Sequence, residues 1–383
     1  MRDGIYQLAL LGKNRDVWGE PILKIVRERL SEIGEGLENA LRVIDPADIN
    51  YLSLRDPAVA LYLGADTETH ATEARAFVDA ALPILPVVDA LEGFNAKVPQ
   101  VLEPINGIAV GSGAEFSEVA NLVLENLSLL RRTRKLFISY LRAESTPVAH
   151  QLRVAFDDMG YDTFLDTSSV PKGDDFQSVL WHRLLDSDVM VVLDTPNFLA
   201  SRWTPKELAE ASAMGVGMLR VAWPGVTPMR GSELAEQLYL DPEELEADRL
   251  KSEAVERILR EVGALRARCI AARHTNLVVE FCQEAEKIGI ATAIQPGRYV
   301  LAEMKNGRRV AVIPAVGVPD AQRYHEASGR FPIDGQLASE AVLIYDHRGM
   351  LPAWTSFLDW LDDYLPVRGL RVTDTALKLG AVR

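Results

Sequence analysis

Residues 136–165 read LFISYLRAESTPVAHQLRVAFDDMGYDTFL and carry the pattern that decides the fold. The first five residues are suited to a buried strand, and Thr146 and Pro147 then supply the cap and the first-turn proline of a helix. Gly160 is placed to end that helix, and residues 161–165 form a second short strand. This order predicts a β-α-β unit, whose two strands run parallel.

The same alternation continues along the chain. Val189 to Leu193 is an apolar run of the length of a strand buried on both faces, and Met218 to Trp223 is another. Helices with capping signals begin near Asp174 and Thr204, ahead of these two runs. The order β-α-β-α-β-α-β predicts a doubly wound α/β domain, which an acidic helical stretch over residues 243–271 completes.

Residues 1–130 also alternate short apolar runs with amphipathic stretches. We expect strands at Tyr6 to Leu11, Leu41 to Ile44, Val59 to Leu63 and Ile84 to Val88. A helix from Phe116 to Leu130 follows, and the basic cluster after it indicates a positively charged helix end and a short linker. Residues 1–133 are therefore predicted to form a separate α/β domain with a mostly parallel sheet.

The last part of the chain has a mixed pattern. Residues 305–308 read KNGR between two apolar runs, and Asn-Gly in that position is typical of a tight β-hairpin. A helix from Thr275 precedes the hairpin, and a strand at Val342 to Tyr345 follows it. We predict a central domain over residues 134–271 and a small mixed α/β domain over residues 272–383, with a sensing or oligomerisation role.

Charge and composition exclude several classes of protein. Lys and Arg number 41 against 55 Asp and Glu, a formal net charge of −14, whereas a nucleic-acid surface needs clustered positive charge. The apolar runs are far shorter than the roughly 18 residues of a membrane span. Two cysteines in so long a chain indicate a reducing compartment. We expect a cytoplasmic protein with no nucleic-acid partner, no membrane partner and no metal.

Five short motifs of the central domain occur in the order found in one family. They are Phe137-Ile138-Ser139-Tyr140, Pro171-Lys172-Gly173-Asp174, Ser187-Asp188-Val189, Thr195-Pro196-Asn197-Phe198 and Ser201-Arg202-Trp203-Thr204-Pro205-Lys206-Glu207-Leu208. On these motifs, residues 135–270 resemble a bacterial TIR (Toll/interleukin-1 receptor) domain of the NAD-cleaving type. The resemblance implies a flavodoxin-like fold with a parallel sheet. The N-terminal domain has the strand and helix order of a degenerate TIR-like or a receiver-like regulatory domain.

The resemblance implies a catalytic residue as well. Many TIR domains of this kind cleave NAD with the glutamate of a Trp-x-x-x-Glu motif, which Trp203 and Glu207 match. Loss of nicotinamide leaves positive charge on the ribose, and a carboxylate beside it stabilises that charge. Nicotinamide departs without a general acid, so one carboxylate suffices. NAD+ would then be the substrate, and we expect no prosthetic group.

Further residues are candidates for substrate contact or self-association. Beside Trp203, the substrate-binding candidates are Phe137, Ser139, Tyr140, Arg142 and Lys172. Arg142 is the candidate for the diphosphate, whereas Phe137 also fits a core position. Pro171, Gly173 and Asp174 belong to a loop that would gate the site or meet a neighbouring TIR domain, although a turn chosen for backbone geometry also explains them.

Glu207 has a structural explanation too. Residues 204–207 read TPKE, the spacing of a capping box in which Glu207 bonds back to the Thr204 amide. The match of Trp203 and of the whole domain favours the catalytic role. The family often has an aspartate shortly after the arginine, where this chain has Glu144.

The leading hypothesis is a TIR-domain NAD+ glycohydrolase or ADP-ribosyl cyclase that releases nicotinamide and forms ADP-ribose or a cyclic isomer. Unrestrained activity would harm the cell, so we expect activation by self-association on an unknown ligand or protein, in prokaryotic antiviral defence as the resemblance implies. The alternatives are a TIR scaffold without catalysis, and an enzyme like nucleoside deoxyribosyltransferases. The product isomer, the trigger and the assembly geometry stay open.

Overall fold

A computed structural model of the chain describes residues 5–34, 36–53, 56–111, 115–165, 176–198, 211–212, 214–227, 235–295, 297–330, 338 and 340–380. The chain divides into two compact units, Met1–Arg132 and Thr133–Arg383. Both units contain parallel strands connected by helices, so the predicted α/β class is confirmed.

The N-terminal unit is built on a five-stranded parallel sheet. Its elements are β1 (Tyr6–Leu11), α1 (Arg15–Ile33), β2 (Leu41–Ile44), β3 (Ala58–Leu63), α2 (Ala71–Asp79), β4 (Ile84–Val88), β5 (Ile108–Ala109) and α3 (Phe116–Asn126). The strand order is β2-β1-β3-β4-β5, the order of flavodoxin-like folds. The four predicted strands are present, and the two-residue β5 at the sheet edge is additional.

Gly12 makes the turn from β1 toward α1. Its φ is +86°, and a Cβ at this position would lie 2.3 Å from the carbonyl oxygen of Leu63. Only glycine fits such a close approach in the left-handed region. The turn is also tied to the end of β3, because the Asn14 amide donates a hydrogen bond to the carbonyl oxygen of Gly64 at 3.0 Å.

The C-terminal unit begins with a second five-stranded parallel sheet, the central sheet. Its elements are β6 (Arg134–Ser139), α4 (Arg142–Asp158), β7 (Tyr161–Leu165), α5 (Phe176–Asp186), β8 (Val189–Asp194), β9 (Gly217–Ala222) and β10 (Glu236–Tyr239). The order is β10-β9-β8-β6-β7, again flavodoxin-like, as the resemblance implied. β10 lies where the sequence analysis expected no strand.

The central sheet is buried on both faces. Leu136 and Ile138 of β6 pack in one apolar cluster with α4, whereas Phe137 packs in a second cluster with α5. Successive side chains of a strand point to opposite faces, and burial of both faces requires uninterrupted apolar runs. That requirement explains why these strands could be found from the sequence.

Helix α4 begins one turn before the predicted position. A single turn starts at Arg142, Ser145 is non-helical with φ −134° and ψ 18°, and the main helix continues from Thr146. Pro147 therefore falls in the first turn of the main helix, where its missing N–H costs no hydrogen bond. The Ser145 hydroxyl donates to the carbonyl oxygen of Leu141 at 3.2 Å.

The acidic stretch before residue 252 is not helical, which corrects the prediction of a helix from residue 243. A single 3-10 turn at Pro242–Glu244 leads into a two-stranded hairpin of β11 (Leu245–Glu246) and β12 (Arg249–Leu250). The Gln151 side chain holds the hairpin, donating to the Leu250 carbonyl at 2.8 Å and accepting its N–H at 2.9 Å. These long-range hydrogen bonds compete successfully with helix formation.

One long helix, α6 (Ser252–Lys287), follows the hairpin and passes without a break through residue 271, where we placed a domain boundary. Residues 264–287 contain neither glycine nor proline, so nothing in the local sequence interrupts the helix. The division at residue 271 therefore stays a prediction. Neither α6 nor any other helix of the described part of the chain is long and apolar enough to cross a membrane.

Buried charges join α6 to the amino edge of the central sheet. Asp188 and Arg266 form an ion pair of 2.9 Å between Oδ2 and Nε, with side chains at most 1% exposed. Asp188 Oδ2 also accepts the N–H of Lys135 at 3.2 Å. The Ser187-Asp188-Val189 motif thus has a structural role at the edge opposite the carboxyl ends of the strands.

The C-terminal sheet is mixed, as predicted. Its elements are β13 (Ala291–Gln295), β14 (Tyr299–Glu303), β15 (Arg309–Pro314), α7 (Ala321–Arg330), β16 (Glu340–Tyr345), α8 (Pro352–Asp362), β17 (Arg368–Arg371) and α9 (Thr375–Gly380). β13, β14 and β15 pair antiparallel, and β15, β16 and β17 pair parallel. The predicted hairpin joins β14 to β15, with Gly307 at φ +78°.

Candidate active site

The carboxyl ends of β6 and β8 lie side by side in the middle of the central sheet. In a sheet of this order, the chain leaves these two strands toward opposite faces, which opens a crevice where α/β proteins bind ligands. The loop over residues 140–141 follows β6, and the loop over residues 195–198 follows β8. The fold therefore places the candidate site at this edge.

Glu144 connects the start of α4 to the loop after β8 at the crevice. Its Oε1 accepts a hydrogen bond from the side-chain amide of Asn197 at 2.5 Å, and its Oε2 accepts the backbone N–H of Asn197 at 3.2 Å. Glu144 lies in the first turn of α4, and Asn197 lies three residues after β8. The glutamate, which replaces the aspartate common in the resembled family, thereby fixes the β8 loop against α4.

Three predicted substrate contacts lie at the carboxyl end of β6 or directly after it. Ser139 is the last residue of β6 and is fully buried, and Tyr140 is 4% exposed within the core beside α4. Arg142 is exposed at the start of α4. The structure thus brings the three residues together at the carboxyl edge, but only Arg142 presents its side chain to solvent.

Phe137 lies elsewhere. It is fully buried, and its ring centroid is 5.2 Å from that of Phe164 within the cluster beside α5. Its surroundings are those of the core residue that the sequence pattern also allowed.

The remaining candidates lie outside the described residues. They are Pro171, Lys172, Gly173, Asp174, Trp203 and Glu207. The described chain leads toward them from the carboxyl edge, since Leu165 ends β7 and Phe198 is the last described residue after β8. Their roles stay predictions.

Asp194 and Arg220 are residues of this edge that the sequence analysis did not single out. Asp194 ends β8, and its Oδ2 accepts Nε of Arg220 at 2.5 Å, with both side chains 2% exposed. Arg220 also donates to Gln237 at 2.7 Å and lies over the ring of Tyr239. Oδ1 of Asp194 is buried and has no hydrogen-bond partner among the described residues.

Burial raises the pKa of Asp194, although the Arg220 guanidinium opposes the shift. A buried carboxylate with one open acceptor is costly, because an unmet acceptor loses its hydration without compensation. The signal in the sequence was an arginine inside the apolar run Met218 to Trp223, since a charge in a strand buried on both faces needs a buried partner.

The described residues contain no group of three or more His, Cys, Asp or Glu side chains that could hold a metal ion. Cys269 packs beside Gly217. A Cβ placed on Gly217 would lie 2.7 Å from the Cys269 sulfur. Burial raises the pKa of the Cys269 thiol to about 11, so the thiol is protonated at neutral pH.

One comparison with known proteins identifies a segment of the chain. A family model described as a TIR domain matches residues 136–258. A search of the curated proteins found no match.

Among solved structures, two matches have low similarity. The C-terminal domain of glucosamine-fructose-6-phosphate aminotransferase from Francisella tularensis is 8% identical over 70% of this chain and 85% of that chain, with a TM-score of 0.21. A structure described as a phosphosugar isomerase from Silicibacter pomeroyi is 9% identical over 71% of this chain and 87% of that chain, with a TM-score of 0.19. At this level of similarity, neither structure informs the fold or the function of this chain.

The family match coincides with the central sheet, its flavodoxin-like strand order and the ordered motifs of the sequence. Residues 136–258 of this chain are therefore a TIR domain.

Proposed function

We propose that the TIR domain cleaves the bond between nicotinamide and ribose in NAD+, with Glu207 as the catalytic residue. The single observation that carries the proposal is the Trp203-x-x-x-Glu207 motif, which lies inside the matched residues 136–258. The strand before it, β8, ends at the crevice beside β6. In sheets of this topology that crevice is the ligand site, which supports the assignment.

Each residue has a defined task in the proposed reaction. The C–N bond breaks and its electron pair leaves with nicotinamide, so positive charge grows on the ribose, where the Glu207 carboxylate stabilises it. Trp203 offers a flat surface for a heterocycle. Arg142 is exposed at the start of α4 and offers a guanidinium to the diphosphate.

The nucleophile then decides the product. Attack by water on the ribose forms ADP-ribose and releases a proton, whereas attack by an adenine nitrogen of the same molecule forms a cyclic isomer. Both outcomes use the same carboxylate, because both pass through the same positive charge on the sugar.

Control of the activity is part of the proposal. The loop with Pro171, Lys172, Gly173 and Asp174 supplies self-association between TIR domains, and the N-terminal unit and the C-terminal sheet serve as regulatory parts. An assembly triggered by a ligand or protein would restrict NAD+ loss to the time of need, as antiviral defence requires.

The test is nicotinamide release from NAD+, measured over a series of protein concentrations. We expect a rate per molecule that rises with concentration, and a loss of at least about 100-fold in Glu207→Gln. Glu246→Gln is the matched control, because Glu246 is an exposed carboxylate within the same matched segment.

The other outcomes identify the alternatives. Equal rates in wild type and Glu207→Gln would remove Glu207 from the mechanism. Release of base from deoxynucleosides but not from NAD+ would indicate a deoxyribosyltransferase-like enzyme. Self-association without cleavage at every concentration would indicate a scaffold.

A further inference from the structure

A cleft open to solvent lies between the C-terminal sheet, α6 and the TIR domain. All three parts belong to the same compact unit. The polar residues that line the cleft are Arg273, Asn276, Glu280, Asp346 and Arg348. Nothing in the proposed NAD+ reaction uses this cleft, which lies apart from the carboxyl edge of the central sheet.

The cleft occupies the position where parallel sheets bind ligands. β15 and β16 are parallel neighbours, and the residues directly after them, Ala315 to Gly317 and Asp346, form one wall. The carboxyl ends of parallel strands are the usual ligand edge of open α/β sheets. Leu185, Met214 and Leu277 supply an apolar floor. A cleft that combines apolar side chains with convergent polar groups has the chemistry to hold a small molecule.

Arg348 lies at the mouth of the cleft with its side chain 54% exposed. Its guanidinium bonds Asp346 of its own loop at 2.7 and 2.8 Å, and reaches across to Glu280 of α6 at 3.0 Å. An exposed ion pair of this kind contributes little stability, so a competing anion displaces it easily. Asn276 lines the same space with an exposed side-chain amide, which can donate and accept hydrogen bonds.

We propose that this cleft binds a small molecule that carries an oxyanion. The oxyanion takes the place of the Glu280 carboxylate on Arg348, since a guanidinium N–H donates charge-assisted hydrogen bonds to carboxylate and to phosphate oxygens. Asn276 meets the polar part of the body, and the apolar floor meets its flat or aliphatic part.

An occupant of the cleft contacts the TIR domain directly. Leu185 belongs to α5, and Met214 follows shortly after the segment that carries Glu207. Arg273, in the wall of the cleft, donates hydrogen bonds to the carbonyl oxygens of Leu185 at 2.6 Å and Ser187 at 2.9 Å. The wall of the cleft is thus hydrogen-bonded to the end of α5 and to the residue that follows it.

The experiment is isothermal titration calorimetry of the full chain with four compounds. Three of them contain adenosine, with or without an anionic group, and the fourth is the anion without adenosine. They are AMP, adenosine-5′-carboxylate, adenosine and inorganic phosphate. We expect saturable binding of AMP, of the carboxylate, or of both, tighter than about 1 mM, and weaker binding of adenosine and of phosphate alone. The first two compounds distinguish a phosphate ligand from a carboxylate ligand.

Variants then assign the binding to the cleft. Arg348→Ala should weaken binding at least about tenfold, whereas Glu280→Gln should strengthen it about two- to fivefold by removing the competing carboxylate. Arg368→Ala is the matched control, because Arg368 is an exposed arginine at the amino end of β17, the opposite edge of the sheet. The proposal would be overturned if neither AMP nor adenosine-5′-carboxylate bound, or if adenosine bound as tightly as they do. Unchanged affinity in Arg348→Ala would overturn it as well.

Discussion

Asp194 at the end of β8 and Arg220 in the neighbouring β9 form an ion pair of 2.5 Å in which both side chains are 2% exposed. The pair lies at the carboxyl edge of the TIR sheet, the edge from which the chain continues toward Trp203 and Glu207. A charge in a sheet buried on both faces is tolerated only with a bonded partner. Each of the two charges therefore depends on the other for its stability in the folded protein.

Removal of the Arg220 charge alone should strongly destabilise the folded protein. Arg220→Met leaves the Asp194 carboxylate buried without its cation, and we expect a loss of about 3–5 kcal/mol in the free energy of unfolding, measured with urea. The double variant Asp194→Leu with Arg220→Met should recover most of that loss. Arg153→Gln, which breaks an exposed pair with Asp157, should cost less than about 1 kcal/mol. Equal effects of Arg220→Met and Arg153→Gln would contradict this account.

His182 should make stability depend on pH. It is 8% exposed, its Nδ1 accepts the N–H of Leu351 at 3.3 Å, and burial lowers its pKa below the usual 6.5. The folded state thus binds fewer protons than the unfolded state once the pH falls below about 6.5, so stability decreases as the solution is acidified.

We expect unfolding in urea at about pH 7.5 and pH 5.5 to show this dependence, with a slope from this residue of at most about 1.4 kcal/mol per pH unit. His182→Gln should lose less stability over that interval than the wild type does. His150→Gln, at an exposed position, should behave as the wild type. A wild-type pH dependence that survives unchanged in His182→Gln would assign the effect to other groups.

Gly12 should tolerate no side chain. Gly12→Ala places a Cβ 2.3 Å from the Leu63 carbonyl oxygen at φ +86°, and we expect a loss of more than about 2 kcal/mol in the free energy of unfolding of the N-terminal unit. Gly93 has a similar φ of +68° but no atom within 4 Å of the added Cβ. Gly93→Ala should therefore cost only about 1 kcal/mol, the conformational penalty without the collision. Similar losses in the two variants would disprove the close approach.

Glu144 should affect catalysis through the β8 loop. Glu144→Ala removes both hydrogen bonds to Asn197, and under the proposed function we expect nicotinamide release to fall about three- to tenfold, because the loop before Glu207 is less well held. Glu144→Gln retains an acceptor and should recover part of the rate. Glu261→Ala changes an exposed glutamate of α6 and serves as the control. An unchanged rate in Glu144→Ala would show that the contact has no positioning role.

Some local features could not be found from sequence because a distant contact decided them. The acidic sequence before Ser252 is typical of a helix. The Gln151 side chain, however, forms two hydrogen bonds with the backbone of Leu250 and holds a hairpin there. The end of the central domain at residue 271 stays a prediction, and no break in the helix marks it. The chain between residues 264 and 287 has no helix-breaking residue, so the helix continues where a change in pattern suggested a boundary.

The amino-acid pattern alone was enough to predict the α/β class, the parallel strands of both flavodoxin-like sheets except the edge strands β5 and β10, the Lys305 to Arg308 hairpin and the TIR segment. These features depend on short-range rules, since strands buried on both faces must be continuously apolar and turns need particular residues. The tertiary structure decided the rest. Asp194 meets Arg220 across 26 positions, Asp188 meets Arg266 across 78, and the cleft with Arg348 and Glu280 joins three distant parts. Such contacts are set by how the elements pack, and spacing along the chain carries no record of that packing.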